Sequence, residues 1–527
     1  MIDVGYSDPY FLLSFPYNEV DLAKVKALPV RDWRKKEKIW RVHKLAALTL
    51  KNLPANWSKD AAEARERVER LLTYLVDFKF DQNIEAHDGL FPYQERGTRF
   101  LRYARKAFLN DDMGLGKTIQ SIAAVLKANV DSCLILCPAS LKWNWEFQFQ
   151  KHFNIQPLVI HGNAQTRQEQ WASDDVFKIS NYDILTRDWE YIPRKWDAII
   201  ADEVVALKNG SAQRTKLARR LKSDIRYGLS GTAWELNLLE FHSIMQWIRP
   251  EILPNFWNFQ RRYCSVDHWG KINGYKNLGE LHLLTSPFIL RRTKAEVLPE
   301  LPPKIYSDIP LEMPEAMAKQ YNALAGTYLH TLKEKGAKAN PLTATIHMRQ
   351  FVEFPSIIGY EDEVHPRLQW LKDVHEEAPK VVVFTFFKTS ANKLAEIFNT
   401  KYLLTGDTPK DKRLPMVQEF NEQDRAILIS TDAGRFGLDM VGADVIVHYG
   451  YFFNPATMIQ REDRLHRIGQ LSTVQVMRPF YTNSVDVGIR KIYMDRQESE
   501  HDFSEGSQMM SRLKLSMKDF EMLAFGA

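Results

Sequence analysis

Between residues 89 and 230, short apolar runs recur with helix-length polar and amphipathic segments between them. The runs fall at 106–110, 133–137, 157–161, 176–180, 198–201 and 227–230. Strands separated by helices describe a parallel sheet wrapped on its faces. A Trp- and Phe-rich stretch over 238–263 reads as helix and interrupts this rhythm, and 311–358 reads as mainly helical, a spacer or lever. A second strand–helix series then starts at 380–387 and continues through 402–404, 426–430, 445–449 and 474–478.

The first ~80 residues follow a different pattern. A helical stretch over 20–28 precedes VRDWRKKEKIWRV, in which Trp33, Ile39, Trp40 and Val42 alternate with bases. That alternation predicts a small β-hairpin with a basic tip at Lys35, Lys36 and Lys38, packed on a helix. Its lysines are expected outside, and its tryptophans either as the core of a small docking domain or, beside the tip, as rings for exposed bases. Residues 60–74 predict a charged helix leading out of the module. The tail after Gln497 is polar, then weakly amphipathic.

Composition narrows the class without naming a function. A chain of 527 residues has material for several domains. No apolar run approaches the ~18 residues of a membrane span, and MIDVGYSDPY lacks a secretory pattern, so a soluble cytoplasmic protein without membrane contact is expected. Cys133, Cys137 and Cys264 have no zinc spacing, which suggests a reducing compartment. A net charge of +5 permits a nucleic-acid partner without arguing for one.

Chemistry enters with LNDDMGLGKTIQ, which follows a predicted strand and opens a predicted helix, as a phosphate loop requires. Gly114 and Gly116 let backbone N–H groups approach phosphate oxygens, and the helix N-terminus adds positive potential. Lys117 would neutralise phosphate charge, and the Thr118 hydroxyl would hold magnesium. Position 111 is Asp where the general pattern has Gly. WDAIIADEVVALKN ends an apolar strand in Asp202 and Glu203, the first suited to magnesium and the second to polarising water. Gln94, shortly before the loop, has an amide able to read an adenine edge. In QREDRLHRIGQ, Arg464 and Arg467 are spaced about one helical turn apart, and their planar forks suit charge on a transferring phosphoryl group.

These motifs, with CPASLKWNWEFQF, GLSGTAWELNLLEF, SPFILRRTKAEVLPELPPK, KVVVFTFFKTSANKL, LTGDTPKDKR and STDAGRFGLD, occur in an order that resembles the Swi/Snf-like ATPases of helicase superfamily 2, from about Gly89 to Tyr481. The resemblance implies an α/β fold: two RecA-like parallel-sheet domains in tandem with helical insertions, plus a small α+β N-terminal module. The expected divisions are a recognition module at 1–80, a first RecA-like domain at 81–300 with a helical insertion at about 238–285, a helical brace at 301–365, a second RecA-like domain at 366–497 and a tail at 498–527.

It also implies ATP and Mg2+ as cofactors and double-stranded DNA as partner. The nucleotide would be held by Gln94, Asp112, Gly114, Gly116, Lys117, Thr118 and Ile119, with Thr118 and Asp202 on the metal. Lys117, Asp202, Glu203, Arg464 and Arg467 would be catalytic. Ser230, Thr232, Arg291, Arg292 and Thr431 would contact DNA or couple to it, as would Lys35, Lys36 and Lys38. Gly437, Asp439 and Gln460 would act between domains. Three departures stand out: Val204-Val205 replaces the usual Ala-His or Gly-His, Ala233 replaces Pro, and Arg435 replaces Gly.

The run FPYNEVDLAKVKALPVRDWRKKEKIWRV resembles the HARP-like recognition module of annealing helicases. The leading expectation is therefore a monomeric, ATP-driven translocase on duplex DNA that remodels branched DNA, in a bacterial or phage-infected cell. The alternatives are a translocase that displaces or slides DNA-bound proteins, and a nucleotide-gated DNA-binding scaffold with weak hydrolysis.

Overall fold

The computed structural model describes residues 1–50, 53–77, 89–231, 237–267, 272–335, 341–361, 365–432, 438, 440–452, 455–467, 469–470 and 472–504. The chain divides into two compact units, Met1–Val297 and Leu298–Ala527. Among the described residues no helix is long and apolar enough to cross a membrane.

The first unit is built on a seven-stranded sheet. Its strands lie in the order Ile289–Leu290, Lys106–Leu109, Lys222–Leu229, Lys195–Asp202, Cys133–Cys137, Phe177–Asn181 and Leu158–Val159. Every pairing is parallel. Cys133–Cys137 is buried at all five positions, which is why its sequence is an unbroken apolar run instead of an alternating one. The strands Lys106–Leu109 and Lys195–Asp202 flank Lys222–Leu229, so the loops at their C-terminal ends open on the same edge of the sheet. That edge is where a ligand site in an open parallel sheet forms.

A five-stranded sheet precedes it in the same unit, in the order Asp32–Arg34, Ile39–His43, Tyr10–Ser14, Ile2–Ser7 and Ala55–Trp57. The helix Glu19–Ala27 and the hairpin 32–43 follow the sequence reading. The Ile2–Ser7/Tyr10–Ser14 hairpin was not legible from it. Trp33 and Trp40 face each other across the ladder with ring centroids 5.0 Å apart, yet Trp33 is 44% exposed. The tryptophans are therefore not the interior of the module; Ile2, Phe11, Leu13, Val25 and Val42 are.

The second unit holds a six-stranded sheet in the order Lys304–Leu311, Val474–Tyr481, Val445–His448, Lys380–Phe384, Ala426–Ser430 and Leu403–Leu404, again all parallel. Successive residues of Lys380–Phe384 feed opposite cores. Val382 and Phe384 pack with Leu404, Phe420 and Leu428, whereas Val381 and Val383 pack with Leu371, Leu394 and Tyr449. The stretch expected to be a helical brace opens instead on an edge strand, Lys304–Leu311, whose eight residues run beside Val474–Tyr481. Pro310 is tolerated there because an edge strand has a side with no ladder to break. The helices Glu315–Lys335 and Pro341–Glu353 then pack with the C-terminal helix Val485–Ser504 around Tyr321, Phe351, Tyr451 and Tyr493.

Candidate functional site

In the first unit, Lys106–Leu109 delivers the chain into a loop that ends on the helix Lys117–Leu126. Gly114 (φ 85°) and Gly116 (φ 72°) adopt left-handed backbone, which glycine enters without strain. At Gly116 a side chain has no room either, because an added Cβ would stand 2.4 Å from Gln94 Nε2. Lys117 Nζ donates to the carbonyls of Asp111 (2.7 Å) and Asp112 (3.0 Å). Burial pulls this ammonium below its ordinary range, and the nearby Asp111, Glu203, Asp202 and Asp112 oppose that pull. Thr118 and Ile119 are partly exposed on the first turn of the helix.

Lys195–Asp202 ends in the acidic pair. Asp202 Oδ2 accepts from Trp145 Nε1 at 2.8 Å, Oδ1 accepts from the Glu203 amide at 2.9 Å, and its carbonyl accepts from Tyr182 at 2.8 Å. Glu203 sits at φ 47°, an uncommon conformation for a non-glycine residue and one that concentrates at functional sites. Val204, where the departure from Ala-His begins, is fully buried and packs toward Gly228. Ser230 is buried, and Gly231 closes the gap to the phosphate loop: a Cβ there would stand 2.5 Å from Met113 Cγ and 3.3 Å from Lys117 Nζ. The first unit thus brings together Lys117, Asp202, Glu203 and the Ser230-Gly231 turn.

Gln94 is 3% exposed, caps its own helix by accepting from the Phe91 amide (3.1 Å), and holds its Nε2 in long contacts to Tyr93 (3.3 Å) and the Leu115 carbonyl (3.5 Å). Asp112 accepts from the Lys294 amide at 3.1 Å, which ties the loop to the LRRTK segment. Arg291 is exposed.

Arg292 corrects the sequence reading. It is 5% exposed and donates from Nε to Asp111 Oδ1 (3.0 Å), from Nη2 to Asp111 Oδ2 and Gln120 Oε1 (2.9 Å), and from Nη1 to the Tyr93 carbonyl. A guanidinium closed in this way braces the glycine loop and has no face for DNA. It also explains Asp111: the carboxylate that departs from the phosphate-loop pattern is fully buried and holds this arginine.

In the second unit the helix Pro455–Glu462 stops before the arginine pair. Arg464 and Arg467 therefore lie in successive turns, with the Arg467 amide on the Leu465 carbonyl at 3.0 Å, and do not share a helix face. Arg464 is 4% exposed and its carbonyl accepts from the Met440 amide. Arg467 Nε donates to the Asp463 carbonyl at 2.7 Å.

The support for these turns was not read from the sequence. Glu462 is fully buried among Lys304 Nζ (3.0 Å), Tyr306 Oη (2.9 Å), His448 Nε2 (3.4 Å) and Arg478 Nη2 (3.7 Å). Burial alone would raise its pKa, but the Lys304 charge, then His448 and Arg478, hold it below the usual carboxylate range. Burial pushes the His448 imidazole down to about 4. Arg461, also buried, pairs with Asp432 at 2.6 Å and stacks on Phe452 at 3.9 Å. Gln460 is buried and its Oε1 has no hydrogen-bond partner among the described residues. Thr431 is nearly buried, its hydroxyl 3.4 Å from the Leu404 carbonyl. Thr232, Ala233, Arg435, Gly437 and Asp439 lie outside the described residues.

The donor set fits a nucleoside triphosphate with magnesium. Two left-handed glycines and a helix N-terminus offer N–H groups, Lys117 offers charge, and Thr118 with Asp202 offers two oxygen ligands. Among the described residues no group of three His, Cys, Asp or Glu forms a metal cage.

Residues 93–357 match the SNF2-related domain family, and residues 366–469 match the helicase conserved C-terminal domain. An uncharacterized ATP-dependent helicase of Mycoplasma genitalium is 30% identical over 436 residues, covering 78% of this chain and 42% of its own length. The SWI/SNF-related matrix-associated actin-dependent regulator of chromatin subfamily A-like protein 1 of Xenopus tropicalis is 31% identical over 428 residues, covering 78% and 44%. The chain thus spans less than half the length of these curated relatives. A Sulfolobus solfataricus SWI2/SNF2 ATPase core solved in complex with dsDNA is 27% identical, with 80% of this chain and 94% of that one covered and a TM-score of 0.40.

Proposed function

The chain belongs to the SNF2-related family, and from that premise we propose an ATP-driven translocase on double-stranded DNA that remodels branched DNA by annealing, fork regression or branch migration. One observation carries the motor: Gly231 stands against Lys117, so the turn expected to couple to DNA touches the loop expected to hold phosphate. ATP with magnesium, when bound, supplies the phosphoryl group whose transfer to water drives movement.

Each residue has a part in that reading. Lys117 leaves the carbonyls of Asp111 and Asp112 to neutralise phosphate charge, and Gln94 turns its loosely held Nε2 to the base. Thr118 and Asp202 would hold the metal, with Trp145 fixing the Asp202 carboxylate. Glu203 would orient water and take up its proton. Arg464 and Arg467 supply charge to the transferring group, Arg467 as the finger. Val205 stands where the resembled family usually carries a relay histidine, and the Ser230-Gly231 contact would be a route from nucleotide to DNA. Arg291, exposed beside the buried Arg292, would contact DNA, and Thr431 would serve the second unit in the same way. Gln460, buried with a free acceptor, would meet its partner when the nucleotide is held. The HARP-like resemblance of the N-terminal module, with exposed Lys35, Lys36 and Lys38 at its hairpin tip, supports a branched substrate. A single chain working in a bacterial or phage-infected cytoplasm completes the proposal.

ATPase rates with and without linear duplex, beside Lys117→Ala, test the motor. Duplex should stimulate the wild type, and a wild type no faster than Lys117→Ala overturns it. Replacing Lys35, Lys36 and Lys38 together by Gln should spare duplex stimulation and weaken action on forks. Unchanged fork processing removes the hairpin from the proposal.

A further inference from the structure

Where the N-terminal module meets the helical insertion of the first sheet, the two enclose a cleft of about 670 Å³, within the ~300–1,000 Å³ of ligand sites. Lys26, Arg31 and Trp40 form one wall, and Arg261, Arg262 and Lys276 the other. The walls are tied together where Arg262 Nη2 donates to the Ala27 carbonyl at 2.5 Å.

Five cations line this space and no carboxylate does. Arg262 is neutralised by Glu280, with Nε to Oε1 at 2.6 Å. Lys26, Arg31, Arg261 and Lys276 have no ion pair among the described residues. Arg31 is held below its ordinary pKa by burial and then by the charges of Arg262 and Arg261. Like charges gathered without counter-charges are destabilising on their own, and an anion between them removes that repulsion.

The aromatic rings decide which anion. Trp40 lines the cleft and contacts Trp33, a residue 44% exposed on the strand Asp32–Arg34 that runs into the hairpin tip bearing Lys35, Lys36 and Lys38. A basic path therefore runs from the tip, past an open indole face, into the cleft. A charged groove beside a stacking platform suits single-stranded nucleic acid, whose bases are free to stack, and not a duplex, whose bases are already stacked. We propose that this cleft takes the single-stranded arm of a branched DNA, with phosphates on Lys26, Arg31, Arg261 and Lys276 and a base on Trp33. The inference rests on the branched-substrate reading and assigns it a site separate from the hairpin tip.

The test is fluorescence anisotropy of a labelled twelve-residue oligothymidylate with the full chain. Arg31→Gln/Lys276→Gln should weaken binding at least tenfold and flatten the logarithmic salt dependence by about 1.4, since each single-strand phosphate contact contributes ~0.7. Trp33→Ala should weaken binding about fivefold or more at every salt concentration. Thermal melting and the DNA-free ATPase rate verify that both variants fold. Wild-type affinity in Arg31→Gln/Lys276→Gln overturns the inference, and so does an equal loss for blunt duplex. If the wild type binds the oligomer through the cleft yet processes forks and linear duplex alike, the branched-substrate reading fails while the cleft assignment stands.

Discussion

Lys117 in the first unit and the Arg464/Arg467 turns in the second are cations to which the proposal gives phosphate chemistry, and each is mounted differently within its own unit. Lys117 is parked on two carbonyls of its own loop, bonds a phosphate can replace without leaving a charge unpaired. The loop beneath it is pinned by one buried pair, Asp111 with Arg292. The arginine turns instead grow from a helix end whose Glu462 is fixed by Lys304, Tyr306, His448 and Arg478, drawn from three strands. A ligand-exchanging loop needs a lysine that lets go. A finger needs a base that holds its place, since positioning errors of ~1 Å can cost ~10²-fold in rate.

The largest effect separates the two mounts by function. Arg467→Ala should lower duplex-stimulated ATPase by ~10³–10⁵, the range for fingers in related phosphoryl transfers, while leaving binding of a fluorescent ATP analogue near wild type. Lys117→Ala should lose both. Retention of more than a tenth of the wild-type rate by Arg467→Ala would mean that the first unit hydrolyses ATP without the arginine turn.

The loop's brace comes next. Arg292→Met leaves Asp111 buried and charged, which should cost ~3–5 kcal/mol in urea unfolding. Adding Asp111→Leu should restore most of that stability, because an apolar pair of similar volume replaces a buried ion pair at little cost. Nucleotide affinity should not return with it, since the apolar pair cannot replace the bonds by which Arg292 ties the loop under Lys117 to Gln120 and the Tyr93 carbonyl. Recovery of both together would reduce the pair to a packing element.

How far these sites were legible depended on the range of the forces that make them. The glycine loop before the helix, the acidic pair at its strand end and both parallel sheets were readable because glycine spacing, unbroken apolar runs and helix starts act over a few residues. The Asp111–Arg292 pair joins positions 181 apart, so Arg292 read as one more cation beside DNA and Asp111 as a lapse from the pattern. Glu462 and Lys304 are 158 apart, and nothing local in QREDRLHRIGQ says which of its acids is buried. The strand Lys304–Leu311 was hidden because Ser307, Asp308 and Pro310 break the apolar run on which the other strands were recognised, and an edge position permits all three. The arginine spacing suggested one helix face, but Glu462 ends the helix and the turns take over.

Trp145→Phe probes the acidic pair's support more gently. It removes the 2.8 Å bond that orients Asp202 without touching the carboxylate. Groups that orient metal ligands typically contribute ~10–100-fold in affinity or activity, so the Mg2+ concentration for half-maximal ATPase should rise within that range. An unchanged magnesium requirement would remove Asp202 from the metal.

The smallest effect tests the arginine mount through pH. Folded His448 is pushed down to about 4, so between about 6.5 and 4 the unfolded chain binds a proton there that the folded chain refuses. Folding stability must therefore fall as pH is lowered across that window, by at most about 1.4 kcal/mol per pH unit for this one group. Glu462, held low in the fold, adds a second loss in the same direction once pH enters the carboxylate range. His43 and His242 in the first unit are also depressed to about 4 by burial and keep their own slope. His448→Gln should hence make the urea midpoint less sensitive to pH between 6.5 and 5 without abolishing the dependence. If the slope does not change, His448 is already protonated against Glu462, and the arginine turns rest on an ion pair instead of a neutral imidazole.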